Sequence, residues 1–251
     1  HYNYAFGIRT GLDAHYGKAF KGFFNDSLEF KIDRIAATDI LEEFERRRGY
    51  DLRPYLPAVF YDASDNSFIF NPTRFAPLYR LSKDDKRIRY DYRKTISDLV
   101  MRHFYGESTA WAESRGLYSR AQSYGMMFDV IRALGTNHIP ETEQHYAGGS
   151  TVFLKMASSA AALYDKPLIS SEAFVWFNGD YAVTPRKLKA GADKLFVSGI
   201  NKVIYHGIPY RAQGEPYRKI FGDAPWHPWS APNNFQFTGD YGQGRPIWDA
   251  L

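Results

Sequence analysis

The feature that most constrains the fold of this chain is a short apolar segment that ends in polar and acidic residues. It occurs at residues 22–29, 137–143 and 167–174, where it supplies Glu29, the pair Glu141 and Glu143, and Glu172. A buried strand has no use for a carboxylate at its end unless that end opens onto a pocket. Parallel barrel strands bring their carboxyl ends to one face, so the three segments predict a parallel β/α array with a carboxylate-lined mouth.

Predicted strands alternate with predicted helices along the chain. Apolar runs predict strands at 21–26, 117–122, 138–139, 168–170 and 202–205, and helical spacing of apolar residues predicts helices between them. Such alternation indicates a parallel sheet. An open doubly wound sheet is the alternative, but no glycine-rich phosphate loop follows any strand. Acids at successive strand ends favour a (β/α)8 TIM barrel.

The number of units predicts only part of such a barrel. Five strand–helix units are present in 251 residues, so we predict an α/β fold that is the C-terminal part of a TIM barrel, without its first three strands. We expect residues 1–251 to form a single partial barrel domain within a larger multidomain polypeptide. The chain begins with His1 rather than Met. An export signal would lie upstream, and we expect a secreted, periplasmic or cell-surface bacterial protein.

Several local signals give further expectations. The aromatic-rich residues 2–16 predict a helix. Asp39 followed by Glu42 predicts a capping box for a helix that stops at Gly49. Apolar residues at helical spacing from Tyr92 predict one helix that continues to residue 116. Four prolines punctuate residues 50–90, which predicts a long irregular excursion.

Composition excludes some classes of function. The net charge is +4, but the basic residues are scattered among acids, which disfavours nucleic-acid binding. No apolar run is long enough to span a bilayer. Cysteine is absent, which excludes disulfides and thiolate metal sites. Aromatic residues make up 17% of the chain, and some of these rings could stack on sugar faces in addition to filling the core.

Seven segments in colinear order resemble the family-106 glycoside hydrolases, the α-L-rhamnosidases. They are residues 24–29, 41–57, 119–122, 139–143, 157–161, 170–174 and 205–210. The resemblance runs from about residue 1 to about residue 235. It implies a (β/α)8 catalytic domain, hydrolysis of terminal α-L-rhamnose with inversion, a carbohydrate substrate and a calcium ion near the sugar. The chain departs from the family in lacking the first part of the catalytic domain.

Three glutamates are the candidate catalytic residues. In inverting hydrolysis one carboxylic acid protonates the leaving oxygen, and a second carboxylate activates water from roughly 6.5–9.5 Å away. We assign Glu29 as the general acid and Glu172 as the general base, because the predicted fourth and seventh barrel strands face each other across the mouth. Glu141 is a competing base. Each has a structural alternative: a helix N-terminal charge for Glu29, a buried ion pair for Glu172 and a rim charge for Glu141.

Candidate substrate-binding residues surround these acids. Arg120 and Gln122 alternate on one predicted strand and therefore share a face, either to bind sugar hydroxyls or to form a structural polar layer. The other candidates are polar or aromatic residues near strand ends. They are Asp26, Glu143, Trp176, His206 and Tyr210.

The metal ligands cannot be assigned from spacing. Glu141, Glu143 and His145 lie close in sequence, but calcium prefers oxygen ligands and a solvated loop explains the spacing equally well. Two other functions stay open: a barrel that binds carbohydrate without hydrolysing it, and a retaining galactosidase-like enzyme whose carboxylates would lie only ~5–5.5 Å apart.

Overall fold

The fold is built on five parallel strands. The computed structural model describes residues 9–28, 35–60, 81–126, 128–144, 149–174 and 184–205. The strands are β1 (Gly22–Asn25), β2 (Tyr118–Ala121), β3 (Ile139–Glu143), β4 (Ser170–Ala173) and β5 (Lys202–Tyr205). Each pairs in parallel with the next, in the order β1-β2-β3-β4-β5. The predicted parallel α/β alternation is confirmed and is consistent with part of a barrel, whereas a closed eight-stranded barrel stays a prediction.

Helices connect the strands. They are α1 (Ile40–Arg48), α2 (Leu56–Phe60), α3 (Asp85–Val100), α4 (Glu107–Glu113), α5 (Val130–Thr136), α6 (Thr151–Leu163) and α7 (Pro185–Val197). Short 3₁₀ helices cover Leu12–His15 and Arg53–Tyr55, and a π-helix covers Met101–Gly106 between α3 and α4. None of the helices in the described ranges is both long and apolar enough to cross a membrane.

The chain divides into two compact units. The first comprises residues 1–140 and 160–167, and the second comprises residues 141–159 and 168–251. The first unit has two apolar clusters. One joins α1, α2 and α3, with Phe44, Val59 and Ile88 almost completely buried. The other packs Ala121 of β2 against Met101 and Tyr105 of the π-helix.

Alternation along β2 separates its two faces. Ser119 bonds to Thr109 of α4, with 2.8 Å between the hydroxyl oxygens, and Ala121 packs on the π-helix, so both face the helices. Arg120 therefore faces the opposite side of the sheet. There its guanidinium lies 4.1 Å from the ring centroid of Phe24, its register partner on β1.

Two strands run further into the acidic segments than the sequence predicts. β3 was expected at 138–139 and β4 at 168–170, but they extend to Glu143 and Ala173. Backbone pairing continues through the register partners Glu143 and Glu172. The acidic side chains project from one face of the paired strands, so they do not interrupt the backbone pairing.

Three local predictions are wrong in detail. The Asp39 side chain does not cap α1, because its backbone (φ −105°, ψ 20°) lacks the extended conformation that brings a capping side chain back over the first turn. The helix predicted from Tyr92 begins at Asp85, where the polar run 83–87 hides the helical spacing, and a π-helix interrupts it. In the described part of the helix predicted at 2–16, only Leu12–His15 is helical, as a 3₁₀ turn.

The region 50–90 also differs from the expected irregular loop. It contains α2 and the first turns of α3, while residues 61–80 lie outside the described ranges. Pro57 lies in the first turn of α2, where a missing backbone N–H costs no helical hydrogen bond. Pro54 and Pro57 therefore mark helix starts.

Candidate active site

Carboxylates of β3 and β4 share one face of the second unit. In the register of these strands, Glu141 pairs with Ser170 and Glu143 pairs with Glu172. Side chains two residues apart on a strand point the same way, and register partners on parallel strands do too. Glu141, Glu143, Ser170 and Glu172 therefore lie on the same face, arranged in two successive rows toward the carboxyl ends of the strands.

The inner row holds a buried carboxylate. Glu141 and Ser170 are both 0% exposed. The Ser170 hydroxyl donates a hydrogen bond to Glu141 Oε2 at 2.5 Å. The pair thus holds one carboxylate oxygen in place below the rim.

The outer row holds two partly exposed carboxylates. Glu143 and Glu172 are half-buried on neighbouring strands, and both make interactions with other groups. Neighbouring strands are about 4.8 Å apart, whereas the diagonal from Glu141 to Glu172 spans roughly 8 Å between Cβ atoms. The face thus offers one close and one distant pair of carboxylates. Both lie at the strand ends where barrel enzymes carry out their chemistry.

Gln144 joins the ends of the two strands. Its backbone N–H donates to the Glu172 carbonyl at 2.8 Å. Its side-chain Oε1 accepts a hydrogen bond from the Phe174 N–H at 2.6 Å. Phe174 has a left-handed backbone (φ 68°), and its buried ring packs against Tyr205 with 5.2 Å between centroids. The backbone from the Glu172 carbonyl to Phe174 is therefore held by the residue that directly follows β3.

The first unit has polar groups at the ends of its own strands. Gln122, just after β2, is 1% exposed, and its Oε1 accepts a hydrogen bond from the Tyr124 hydroxyl. Its N–H donates to the Asn25 carbonyl at 3.0 Å. Asp26 is exposed and accepts from the Ser27 N–H at 2.8 Å. Gln122 is thus held by hydrogen bonds within this unit, and Asp26 is exposed to solvent.

Comparison with known proteins shows the family to which the chain belongs. A family model described as alpha-L-rhamnosidase, of glycoside hydrolase family 106, matches residues 2–213. The chain belongs to this family. The resemblance expected from the seven sequence segments is confirmed.

The chain matches only a small part of each of two longer relatives. A protein of Formosa agariphila named "Putative beta-glucuronidase" is 29% identical over 167 residues, which cover 65% of this chain and 13% of the relative. The solved structure of a rhamnosidase from Novosphingobium sp. PP1Y matches with a TM-score of 0.61 and 26% identity, over 78% of this chain and 18% of that one. The family-106 chain therefore spans less than a fifth of either relative.

The structure describes six of the ten predicted site residues. Glu29, Trp176, His206 and Tyr210 lie outside the described residues. Of the remaining predictions, Glu141, Glu143 and Glu172 share one face of the second unit. Arg120 is stacked on Phe24 in the first unit. The catalytic and binding roles assigned from the sequence stay predictions.

The described residues do not form a metal site by themselves. Glu141 and Glu143 offer the oxygen ligands that calcium prefers. Within the described ranges, however, no three Asp, Glu, His or Cys side chains are grouped closely enough to hold a metal ion. His145 lies outside those ranges. Calcium in this family-106 chain stays a prediction.

One arrangement in the first unit resembles a nucleophilic triad. Ser119 Oγ lies 3.0 Å from His138 Nδ1, and His138 Nε2 lies 3.2 Å from Glu113 Oε1. Ser119 is 0% exposed and lies on the helix side of β2, so its hydroxyl cannot reach a substrate. His138 is also at the amino end of β3, opposite the end where barrel enzymes bind substrate. We assign this group to structure.

Sequence reasoning missed Ser170, Gln144 and Phe174 as parts of the site. The serine pair 170–171 marked the segment, but only the strand register shows which serine faces Glu141. Nothing in the local sequence around Gln144 indicates that it bonds to a residue 30 positions later. A left-handed Phe174 has no sequence signal either, because glycine is the residue that usually marks this conformation.

Proposed function

We propose that this chain is the C-terminal part of a (β/α)8 catalytic domain that removes terminal α-L-rhamnose from oligo- or polysaccharides with inversion. As part of the same proposal, flanking domains of the same polypeptide complete the enzyme, which is exported from a bacterial cell. The support is membership of the alpha-L-rhamnosidase family and the structural similarity to a rhamnosidase. The observation that carries the proposal is the row of carboxylates at the carboxyl ends of β3 and β4.

The proposed reaction uses two carboxylates from distant parts of the chain. Glu172 removes a proton from water as the water attacks the anomeric carbon, and Glu29 donates a proton to the leaving glycosidic oxygen. The products are β-L-rhamnose and the free alcohol. The close pair Glu143 and Glu172 does not suit these two roles, because strands about 4.8 Å apart leave no room for the attacking water.

Glu141 is the competing base. Its geometry gives one argument for this role and one against it. Its diagonal spacing from Glu172 of roughly 8 Å suits an inverting pair. Its complete burial and its bond from Ser170 do not suit a group that must activate water. We therefore propose Glu172 as the base and Glu141 as a buried carboxyl group held in place beneath it.

The stereochemical course tests the reaction. The whole enzyme is incubated with an aryl α-L-rhamnoside and, because one relative is named as a beta-glucuronidase, with an aryl β-D-glucuronide. We expect hydrolysis of the rhamnoside, with the β-anomer appearing first in a ¹H-NMR time course. First appearance of the α-anomer would indicate retention, and cleavage of the glucuronide alone would overturn the proposed sugar.

A substitution tests the role of Glu172. We expect Glu172→Gln to lower kcat by at least about 10²-fold, the lower end of the range for loss of an acid or base. Glu45→Gln, on an exposed face of α1, is the matched control and should retain the wild-type rate. A Glu172→Gln enzyme with full activity would contradict catalysis by this residue and favour a site that only binds carbohydrate.

A further inference from the structure

The backbone adopts a left-handed conformation two residues after Glu172. Phe174 has φ 68°, a left-handed conformation that is unfavourable for residues with a Cβ and for bulky residues in particular. It directly follows Ala173, the last residue of β4. Strained backbone persists only where its surroundings hold it, and it is concentrated at functional sites.

Two contacts hold Phe174 in this conformation. Gln144 Oε1 accepts its N–H at 2.6 Å, in surroundings where both residues are buried. The Phe174 ring, 3% exposed, packs on Tyr205 of β5. Glycine would adopt this backbone without strain, so the ring adds an anchor that glycine could not give.

The same glutamine also holds the main chain of Glu172 itself. The Gln144 N–H donates to the Glu172 carbonyl at 2.8 Å. Gln144 thus bonds to the candidate base through its main chain and to the strained turn through its side chain. A change of side chain alone leaves the first bond and removes the second.

We propose that Gln144 is a positioning residue for catalysis, which fixes Glu172 at the mouth by holding the left-handed turn at Phe174. This inference rests on the proposed role of Glu172. Without the Gln144 acceptor, the Phe174 N–H loses this hydrogen bond, and the turn relaxes toward negative φ. That relaxation redirects the strand end that carries Glu172.

The test measures kcat and KM of the whole enzyme, on whichever of the two aryl glycosides the wild type hydrolyses. Gln144→Met keeps the length of the side chain and removes the amide acceptor. We expect kcat to fall by about 10- to 100-fold, because a misplacement of about 1 Å can cost 10²-fold in rate. KM should change by less than about threefold, because the sugar-binding groups stay in place.

A matched control lies at the other end of the same strand. Asn201 Oδ1 accepts the Ile169 N–H at 2.8 Å, just before β4 begins. Asn201→Leu removes a comparable amide-to-backbone bond far from the carboxyl end. We expect it to lower thermal stability while kcat stays within about twofold of wild type. Equal losses of kcat in the two variants would overturn a positioning role for Gln144.

A second pair of variants tests the turn itself, and it applies even where Gln144→Met does not fold. Phe174→Ala and Phe174→Gly both remove the ring, but only glycine adopts the left-handed backbone without strain. We expect the glycine variant to retain the higher kcat. Equal kcat values in the two variants would overturn the role of the turn.

Comparison with Glu172→Gln separates this inference from the proposed function. An inactive Glu172→Gln enzyme beside a fully active Gln144→Met enzyme overturns the positioning role alone. A fully active Glu172→Gln enzyme overturns the proposed base, and the positioning role with it.

Discussion

At the residue scale, a serine hydroxyl holds one oxygen of a buried glutamate. Ser170 donates to Glu141 Oε2 at 2.5 Å, and both residues are fully buried. The neighbouring Ser171 is equally buried but faces the opposite side of the strand, where its hydroxyl donates to the Glu172 carbonyl at 3.2 Å. Two adjacent serines of equal burial thus have different electrostatic roles.

The first prediction compares these serines. We expect Ser170→Ala to lower the free energy of unfolding by about 2 kcal/mol, within the range for removing one partner of a fully buried hydrogen bond. Ser171→Ala should cost less than about 1 kcal/mol, because it loses a long bond to a neutral acceptor. Urea denaturation of both variants at pH 7 measures the difference. Equal destabilisation would show that the Ser170 bond to Glu141 contributes no more than the Ser171 bond to the Glu172 carbonyl.

At the element scale, the starts of α1 and α5 differ, although an aspartate precedes each helix. Asp129 has an extended backbone (φ −71°, ψ 91°), and its side chain accepts the Arg132 N–H at 3.1 Å at the start of α5. Asp39 precedes α1 but makes no such bond. A capping aspartate stabilises a helix chiefly through this bond.

The second prediction follows from that difference. Asp129→Ala should lower the free energy of unfolding by about 1 kcal/mol, the usual cost of losing an N-cap. Asp39→Ala should cost only a few tenths of a kcal/mol, through the charge it places near the helix N-terminus. Calorimetric unfolding of the two variants at one pH checks the order. Similar costs would mean that charge rather than the capping bond stabilises α5.

The strands and helices also show which features of the fold could be predicted from the sequence. All five strands and the start of α7 were predictable, because apolar runs and the pair Thr184-Pro185 are local signals, and the Thr184 side chain does accept the Lys187 N–H. Strand ends at Glu143 and Ala173 were not, since pairing between strands decides where a strand stops. The bond from Phe174 to Gln144 joins residues 30 positions apart and has no local signal.

At the scale of the whole molecule, the half-buried His138 couples stability to pH. The Ser119 N–H donates to His138 Nδ1 at 3.0 Å, and an amide can only donate, so Nδ1 carries no proton. Nε2 carries it toward Glu113. Burial lowers the pKa of His138 below its usual value, with Lys166 adding to the effect and Glu113 partly opposing it.

The sign of the effect on stability follows from this lowered pKa. Below the ordinary pKa of about 6.5 the unfolded chain takes up a proton that the folded chain still excludes. The contribution of His138 is therefore fully present above about pH 6.5. It is lost as the pH falls through the lowered pKa of the folded state.

The pKa of Asp98 is also lowered, because bonds from Arg48 and Arg132 outweigh the opposing effect of burial. This carboxyl affects stability only below about pH 4.

The last prediction uses the fact that His138 affects stability at a higher pH than Asp98 does. His138→Gln preserves the bonding pattern, since its carbonyl can accept the Ser119 N–H and its amide can donate to Glu113, but it does not titrate. We expect its unfolding free energy to fall less steeply between pH 6.5 and 5 than that of wild type, by at most about 1.4 kcal/mol per pH unit. His103→Gln, an exposed change on the π-helix, should retain the wild-type slope. Urea denaturation across this pH range measures the slopes, and equal slopes for wild type and His138→Gln would place the acid sensitivity elsewhere in the molecule.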